Sequence, residues 1–469
     1  RSMKPGTALS GVSRRAIRDV VILACAIDAA DKALLPATFK ALSVTLGVGP
    51  AGLGAFSFAE SMSFAAATPV WGALVRYYPT RDVMLGGCGM WGVATFLLAV
   101  TGSFQTHMVL RVVNGAALAA VAPAGQALLC DVIPEAERGK AFGLLQAVST
   151  LCAGVCAALC AAMALVTVFG MAGWRVAYLM VCLLSAVVGG LIFTVVPRVE
   201  PTRVSIGWVG EQQALVSAIF RKRSFLVLVL QGVAGAIPWN GFSFVPLYLQ
   251  TSGYTDTQAG LIMLLGGSGG VVGSYLGGVL GDHFAKLSAN YGRVFIAQVS
   301  VVLGMIMFGV VMSVPFGHGS FWLTVVAFFG FSSTACWTPA AACRPICGEI
   351  FRDSAERAQV LAWWMALEGI ASATCGAPLV GLLSEQFGFR IDPSGADQEI
   401  GARNVAALRH ALIGVSVVPW AVCALAWTFM YRVFPQERVQ EEVGETEETQ
   451  AMEIGKRRGY SPVGEADSL

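Results

Sequence analysis

The segment Val20–Phe39, VVILACAIDAADKALLPATF, has the length and apolar character of a membrane-spanning helix, yet it carries Asp28, Asp31 and Lys32 near its middle. An ionised side chain that faces lipid costs about 2.5–3.5 kcal/mol on insertion scales, so these side chains must face a polar cavity or one another. On a helix, Asp28 and Lys32 are one turn apart and can form an acid–base pair, which would serve packing alone or function. The segment predicts a helical bundle built around a polar interior.

The composition excludes an ordinary soluble protein. The chain has 469 residues, of which 56% are hydrophobic and 13% charged, with a mean hydropathy of +0.68. Soluble domains carry about 25% charged residues. The net charge of +2 is too small to suggest a nucleic-acid partner. We therefore expect a polytopic membrane protein with the lipid bilayer as its surroundings and no nucleic acid bound.

Neither the 12 cysteines nor the four histidines form a pattern typical of a metal site or a disulfide framework. The cysteines lie in or at the ends of apolar segments, where they act as small packing residues. The histidines lie at or near predicted span ends. We expect no metal and no cofactor.

About 20 apolar residues in a helix cross a bilayer. Runs of this length predict twelve helices. They cover residues 18–39, 52–75, 83–104, 107–130, 140–168, 174–197, 225–250, 258–281, 293–315, 320–348, 359–385 and 406–431. The longest polar break inside the bundle, Arg198–Ser224, divides them into six and six. The fold class is thus an all-α membrane protein of two six-helix bundles.

Five segments follow from this division. They are a cytoplasmic N-terminus (1–17), a first bundle (18–197), a cytoplasmic linker with an interfacial helix (198–224), a second bundle (225–431) and a disordered acidic cytoplasmic tail (432–469). Placing both termini in the cytoplasm leaves only a few basic residues on the opposite side: Lys40, Arg175, Arg390, Arg403 and Arg409. This asymmetry follows the positive-inside rule.

The two halves of the chain resemble each other. CDVIPEAERGKAFG (130–143) after span four echoes GEIFRDSAERAQVLA (348–362) after span ten. The matching positions are six spans apart, an even number, so the repeats have the same orientation in the membrane. Parallel repeats of this kind predict a pseudo-twofold axis along the membrane normal.

These motifs resemble the major facilitator superfamily, and within it the Spinster-like carriers, especially their plant and algal relatives. The stretches that carry the likeness include ADKALLP (30–36), GWRVAYL (173–179), QGVAGAIPWNGFSFVP (231–246) and GGVLGDHFAK (277–286), together with Arg111 and Gly115 as R-x-x-x-G. Two positions depart from the pattern. Arg76 stands where the first-half loop usually has Asp, and Leu118 stands near the span-four Glu of animal Spinster proteins.

The resemblance implies that spans one, four, seven and ten line a central cavity, and the sequence independently places unusual polar residues on those spans. The candidate cavity or coupling residues are Asp28, Asp31, Lys32, Arg111, Asn114, Trp239, Asn240, Arg344 and Glu368. We expect Asp31 to pair with Arg111, which would otherwise hold an anionic group or tether spans. Pro238 predicts a bend that serves either packing or a bound solute, and Arg344 either contacts substrate or extends to the interface.

Two further acids lie on other spans, Glu60 on span two and Glu368 on span eleven. We expect Glu60 to serve helix packing, whereas Glu368 fits packing and proton carriage equally well. A second group at the cytoplasmic helix ends is expected to form the inner gate, as in the family: Gly72, Arg81, Asp131, Arg138, Gly278, Asp282, Glu349 and Arg357.

Together these features predict a monomeric carrier that moves a small organic solute by alternating access, either uncoupled or coupled to an ion such as a proton. The solute is anionic or amphipathic, and a lysophospholipid-like or sphingolipid-like molecule is what the Spinster resemblance implies. A carrier-fold sensor or scaffold is the alternative. We expect no enzyme, because the chain contains no phosphate-binding GxxxxGK and no paired His–Asp acyltransferase spacing. The membrane is either the plasma membrane or an endolysosomal or vacuolar one.

The charge pattern makes a topology prediction. Tags in the tail and in Arg198–Ser224 should be inaccessible to membrane-impermeant reagents in intact cells, whereas a tag within Arg390–Asn404 should be labelled. Permeabilised cells provide the control, in which all three tags should react. Labelling of the tail in intact cells would contradict the even number of spans with both termini inside.

Overall fold

A computed structural model describes residues 14–133, 135–168, 170–199, 220–314, 320–350, 354–390 and 398–457. The first half contains α1 (Arg14–Ala37), α2 (Phe39–Leu46), α3 (Pro50–Tyr77), α4 (Thr80–Val100), α5 (Phe104–Leu118), α6 (Val121–Val132), α7 (Glu135–Met163) and α8 (Gly173–Val195). A short antiparallel hairpin, β1 (Thr167–Val168) and β2 (Met171–Ala172), separates α7 from α8. Span five therefore ends at Met163, earlier than predicted, and Gly170 has a φ of 77° that suits the hairpin turn.

The second half is also helical. It contains α9 (Arg223–Gly241), α10 (Val245–Thr251), α11 (Asp256–Leu287), α12 (Gly292–Ser313), α13 (Phe321–Ala335), α14 (Arg344–Ile350), α15 (Ser354–Cys375), α16 (Ala377–Gln386) and α17 (Gln398–Arg457). Several spans are composed of two pieces. Span four is α5 with α6, span seven is α9 with α10, span ten is α13 with α14 joined by the π-turn Pro339–Cys343, and span eleven is α15 with α16.

Within the described ranges, ten helices are long and apolar enough to cross a membrane, or eleven if the bent pair Phe39–Leu46 and Pro50–Gly72 counts as one span. The helix α1 has 24 residues but carries the three charges noted above. With α1 included, the arrangement is consistent with twelve spans. The all-helical fold class is therefore confirmed.

The structure describes part of the predicted tail and little of the predicted linker. The helix α17 continues to Arg457, so the part of the expected disordered tail up to that residue is helical. This part of the helix includes Pro435 and Gly444, and its many glutamates, which are good helix formers, favour the continuation. The expected interfacial helix falls largely on residues 200–219, outside the described residues, and so do residues 458–469.

The two halves meet along span two against span eleven and span five against span eight. We call the end of the bundle at which α1 begins the terminal end, and the opposite end the distal end. Three polar contacts between the halves lie on the distal side. Lys40 pairs with Asp256 at 3.2 Å, the Ala51 amide donates to Glu385 Oε1 at 2.9 Å, and Asn240 Nδ2 donates to Ser61 at 3.1 Å.

Small residues permit close helix crossings inside the membrane. A Cβ on Gly115 would lie 2.1 Å from the carbonyl oxygen of Glu60, and a Cβ on Gly260 would lie 2.5 Å from the Cα of Ala158. The first crossing joins spans four and two, and the second joins spans eight and five across the two halves. Backbone approach at these points sets how the helices are rotated toward one another.

This geometry predicts that Gly115→Ala destabilises the protein, since the added methyl group meets backbone rather than a flexible side chain. We expect a loss of about 1–3 kcal/mol in unfolding free energy, typical of overpacking, measured by thermal unfolding of purified protein in detergent. Gly189→Ala is the matched control, because a Cβ there meets nothing within 4 Å. Equal stability of the two variants would contradict the crossing.

Candidate functional site

Arg111 lies at the centre of a buried polar cluster in the first half. Its side chain is 1% exposed, and its Nη1 donates to Glu60 Oε2 at 2.8 Å. Its Nη2 donates to the hydroxyl of Tyr178, whose oxygen lies 3.3 Å from Thr38 Oγ1. The cluster therefore ties spans one, two, four and six together through one guanidinium group.

The R-x-x-x-G spacing of span four explains why Arg111 reaches Glu60. Residues four apart share a helix face, so Gly115 and Arg111 both face span two. Since Gly115 has no side chain, the helix packs directly on the Glu60 backbone, and the arginine one turn away contacts the carboxylate. The motif combines a close crossing with an ion pair.

The expected pair between Asp31 and Arg111 is wrong. The ion-pair partner of Arg111 is Glu60, and this pair joins spans two and four, in keeping with a role of Glu60 in helix packing. Asp31 accepts a hydrogen bond from Thr95 at 2.9 Å, and Asn114 Nδ2 lies 3.4 Å from Asp31 and 3.1 Å from Thr95. Asn114 follows Arg111 by three residues, and it is the span-four side chain that faces Asp31.

The predicted pair between Asp28 and Lys32 is confirmed, with a distance of 2.8 Å between Nζ and Oδ2. The two partners differ in accessibility, because the Lys32 side chain is 35% exposed and that of Asp28 is 5% exposed. The Lys32 ammonium also lies 4.2 Å from the centre of the Phe64 ring, a cation–π distance. Of the two cations Lys32 and Arg111, Lys32 is the more accessible.

The second half presents aromatic groups at the corresponding place. Trp239 is 43% exposed, and its ring centre lies 6.1 Å from that of Phe331, 5.5 Å from Phe242 and 6.4 Å from Trp420. The neighbouring side chain of Asn240 contacts other helices instead of these rings. It bonds Ser61 across the halves and accepts from the Ala377 amide at the break in span eleven. The Trp239 side chain is thus exposed, whereas Asn240 connects helices.

Two predicted site residues stand apart from these groups. Arg344 is exposed at the start of α14, toward the terminal end of span ten. Glu368 on α15 lies against span seven, where a Cβ on Gly232 would be 1.9 Å from Glu368 Oε1. Neither joins the Arg111 cluster.

Three of the eight predicted gate residues, Arg81, Asp282 and Glu349, form ion pairs, and each of these pairs lies within one half. Asp82 bonds Arg81 at 3.3 Å and Arg198 at 2.9 Å, so spans three and six are linked. Arg293 bonds Asp282 at 3.0 Å and Glu349 at 2.9 Å, which links spans eight, nine and ten. Gly72 and Gly278 border open space. The side chains of Asp131, Arg138 and Arg357 lie outside the described residues.

Several contact residues were not found by sequence reasoning. They are Thr38, Ser61, Thr95, Tyr178, Lys40, Asp256 and Glu385. Tyr178 lies within GWRVAYL (173–179), one of the stretches that carry the family likeness, so the sequence did mark this region. Hydroxyl residues such as Thr95 and Ser61 are common in membrane helices, and no spacing rule distinguishes them.

Comparison with known proteins identifies the class. The family model described as Major Facilitator Superfamily matches residues 21–344. The chain belongs to this superfamily, and it is accordingly a multi-pass membrane transporter of small solutes.

Two curated relatives and one solved structure illustrate the likeness. A probable sulfoacetate transporter of Cupriavidus necator is 26% identical over 59% of this chain and 67% of its own length. A chloramphenicol resistance protein of Streptomyces lividans is 28% identical, and the match covers 53% of this chain and 62% of that protein. A bacterial homologue of the human lysosomal transporter Spinster, inward-facing and unoccupied, shares the fold with a TM-score of 0.73 at 14% identity, over 91% and 98% of the two chains.

The buried pair predicts strong coupling between Glu60 and Arg111. Glu60→Gln and Arg111→Gln should each lower the unfolding free energy by about 3–5 kcal/mol, because each strands the opposite charge in the membrane. The double variant should lose much less than the sum of the two. Thermal unfolding of the four proteins in one detergent measures the coupling.

Two further double-mutant cycles test the assignment of Glu60 as the partner of Arg111. Asp282→Asn combined with Arg111→Gln should be additive within about 0.5 kcal/mol, since the sites share no partner. A larger coupling of Arg111 to Asp31 than to Glu60, measured with Asp31→Asn, would refute the partner assigned here.

Proposed function

We propose that this transporter carries a small organic anion and that Lys32 contacts the anionic group. The accessibility of Lys32 supports this, since Arg111 is enclosed by Glu60 and Tyr178. An anion of carboxylate or sulfonate type would accept a charge-assisted hydrogen bond from the ammonium group. The relative described as a probable sulfoacetate transporter is consistent with this class of solute.

Asp28 has a supporting role in this proposal. An unpaired ammonium group at this depth would be costly when no solute is bound, and the carboxylate at 2.8 Å neutralises it. A solute anion then competes with Asp28 for the ammonium hydrogens. Such competition keeps binding reversible, which a carrier needs in order to release its solute.

The exposed face of Trp239 provides a place for the organic part of the solute. An indole ring offers a large apolar surface, and the neighbouring aromatic rings hold it in position. A charged contact on the first half and an apolar contact on the second would join the halves through the solute. This arrangement suits an amphipathic anion, and the lipid-like solutes of the Spinster-like branch fall within that class.

We infer that both termini are cytoplasmic, on the charge asymmetry of the loops. The distal contacts Lys40–Asp256, Ala51–Glu385 and Asn240–Ser61 then close the external face. Opening to the outside would break them and close the terminal end. There the ties of Asp82 and Arg293 keep each half rigid, so that the halves move as bodies.

The proposal is tested by transport in proteoliposomes. Wild-type protein should take up radiolabelled sulfoacetate saturably and should not take up chloramphenicol, a neutral solute. Lys32→Met should reduce anion uptake about a hundredfold or more, which corresponds to the loss of one charge-assisted contact of roughly 3 kcal/mol. Lys32→Arg keeps the charge and should retain part of the activity.

Lys40→Met is the matched control, because Lys40 is a lysine of similar exposure that lies on the distal surface away from the cluster. It should alter rates without changing which solutes are carried. Uptake of chloramphenicol but not of any anion tested, or full anion uptake by Lys32→Met, would overturn the proposed substrate class.

A further inference from the structure

The charges inside the spans do not balance. Within the described residues, the middle of the bundle holds two cations and four carboxylates: Lys32, Arg111, Asp28, Asp31, Glu60 and Glu368. Lys32 pairs with Asp28, and Arg111 pairs with Glu60. Asp31 and Glu368 form no ion pair among the described residues. A carboxylate in this position is stable when it is protonated or strongly hydrogen-bonded.

The two remaining acids differ in accessibility. Asp31 is buried, and Thr95 and Asn114 donate to it. Glu368 is partly exposed. A proton that is bound on one side of a membrane and released on the other must exchange with water in the cavity. Glu368 has an exposed part through which such exchange can occur, whereas Asp31 is buried.

The surroundings of Glu368 favour a group that gains and loses a proton. Gly232 leaves room for the carboxyl group, since a Cβ there would lie 1.9 Å from Glu368 Oε1 and 2.5 Å from Trp364 Nε1. The buried Trp364 Nε1–H faces the Glu368 carboxyl group and has no other hydrogen-bond partner within the described part of the chain. It lies over the same glycine as the carboxyl oxygen, so it can donate to Glu368 when the proton leaves.

The groups that face Glu368 from other helices are neutral. The thiols of Cys343 and Cys347 on span ten and of Cys423 on span twelve lie near it. Gln231, next to Gly232 on span seven, bonds Cys343 and Cys423. On the facing span two, the neighbouring residue is Ala65.

Glu368 lies beside the seam between the halves, at the level of Lys32. A Cβ on its neighbour Gly369 would be 3.4 Å from the Cβ of Ala65 on span two. The adjacent residue Phe64 holds the Lys32 ammonium against its ring. Lys32 and Glu368 therefore flank the same turn of span two, from opposite halves of the protein.

We propose that Glu368 binds the proton that is cotransported with the anion. This inference rests on the proposed function. The carboxylate takes a proton from water in the cavity, which removes the negative charge that would repel an anion at Lys32. Proton and anion then leave together on the other side, and the Trp364 indole donates to the carboxylate that remains. Each site favours occupancy of the other, as linkage requires.

Proton-driven accumulation in proteoliposomes tests the assignment. A gradient of one pH unit is worth 1.36 kcal/mol, so one proton cotransported per anion should support about tenfold accumulation by the wild type. Glu368→Gln should accumulate none and should still exchange internal for external anion in a counterflow assay, with a flat pH profile. Glu399→Gln, which alters an exposed glutamate, should behave as wild type.

Two glycine variants distinguish an effect on the Glu368 site from a general disruption of span seven. Gly232→Ala should displace the carboxyl group and lower proton-driven accumulation, whereas Gly235→Ala should not, because a Cβ there meets only Cys423 Sγ at 3.3 Å. If Glu368→Gln gives no folded protein, this pair carries the test. Retained accumulation in Glu368→Gln, or equal effects of the two alanine variants, would overturn the proposal.

An infrared titration distinguishes the failure of this inference from the failure of the proposed function. The carboxylic-acid absorption of the purified protein should decrease as the pH rises, and Glu368→Gln should lack that change. If the wild type carries no anion but the titrating band is lost in Glu368→Gln, the proton site is supported and the proposed substrate class is wrong. An unchanged band in Glu368→Gln overturns the proton site.

Discussion

The cost of an unpaired charge in the membrane is the constraint on which the rest of this structure depends. Arg111 cannot face lipid, and at 1% exposure it cannot be solvated by water either. Glu60 and Tyr178 therefore surround it, and they come from two other spans. Helix positions in the first half are thus set by the need to satisfy one guanidinium group, and Gly115 supplies the close crossing that makes this geometry accessible.

The two halves share a topology but not a chemistry. In the first half, Asp31 and Asn114 form a polar contact where span one meets span four. In the second half, Trp239 and Phe331 stack where span seven meets span ten. A pseudo-symmetric scaffold with charged side chains in one half and aromatic side chains in the other can orient a solute that has a charged and an apolar end. Duplication of the fold thus left each half free to specialise.

The ionic contacts differ between the two ends of the bundle. At the terminal end, the ties of Asp82 and of Arg293 connect spans within one half. At the distal end, Lys40 and Asp256 connect one half to the other. Exposed pairs of this kind contribute only about 0–1 kcal/mol each. The Lys40–Asp256 pair is therefore weak compared with the buried contacts of Arg111.

The sequence by itself determined the membrane class, the helical fold, the parallel halves and the pair between Asp28 and Lys32. That pair was predictable because the partners are one turn apart on a single helix, where spacing alone sets the contact. Only the tertiary structure decided that Arg111 pairs with Glu60 and that Glu368 packs over Gly232. Contacts between helices depend on how each helix is rotated and how closely it crosses its neighbours, and no spacing along one chain segment contains that information.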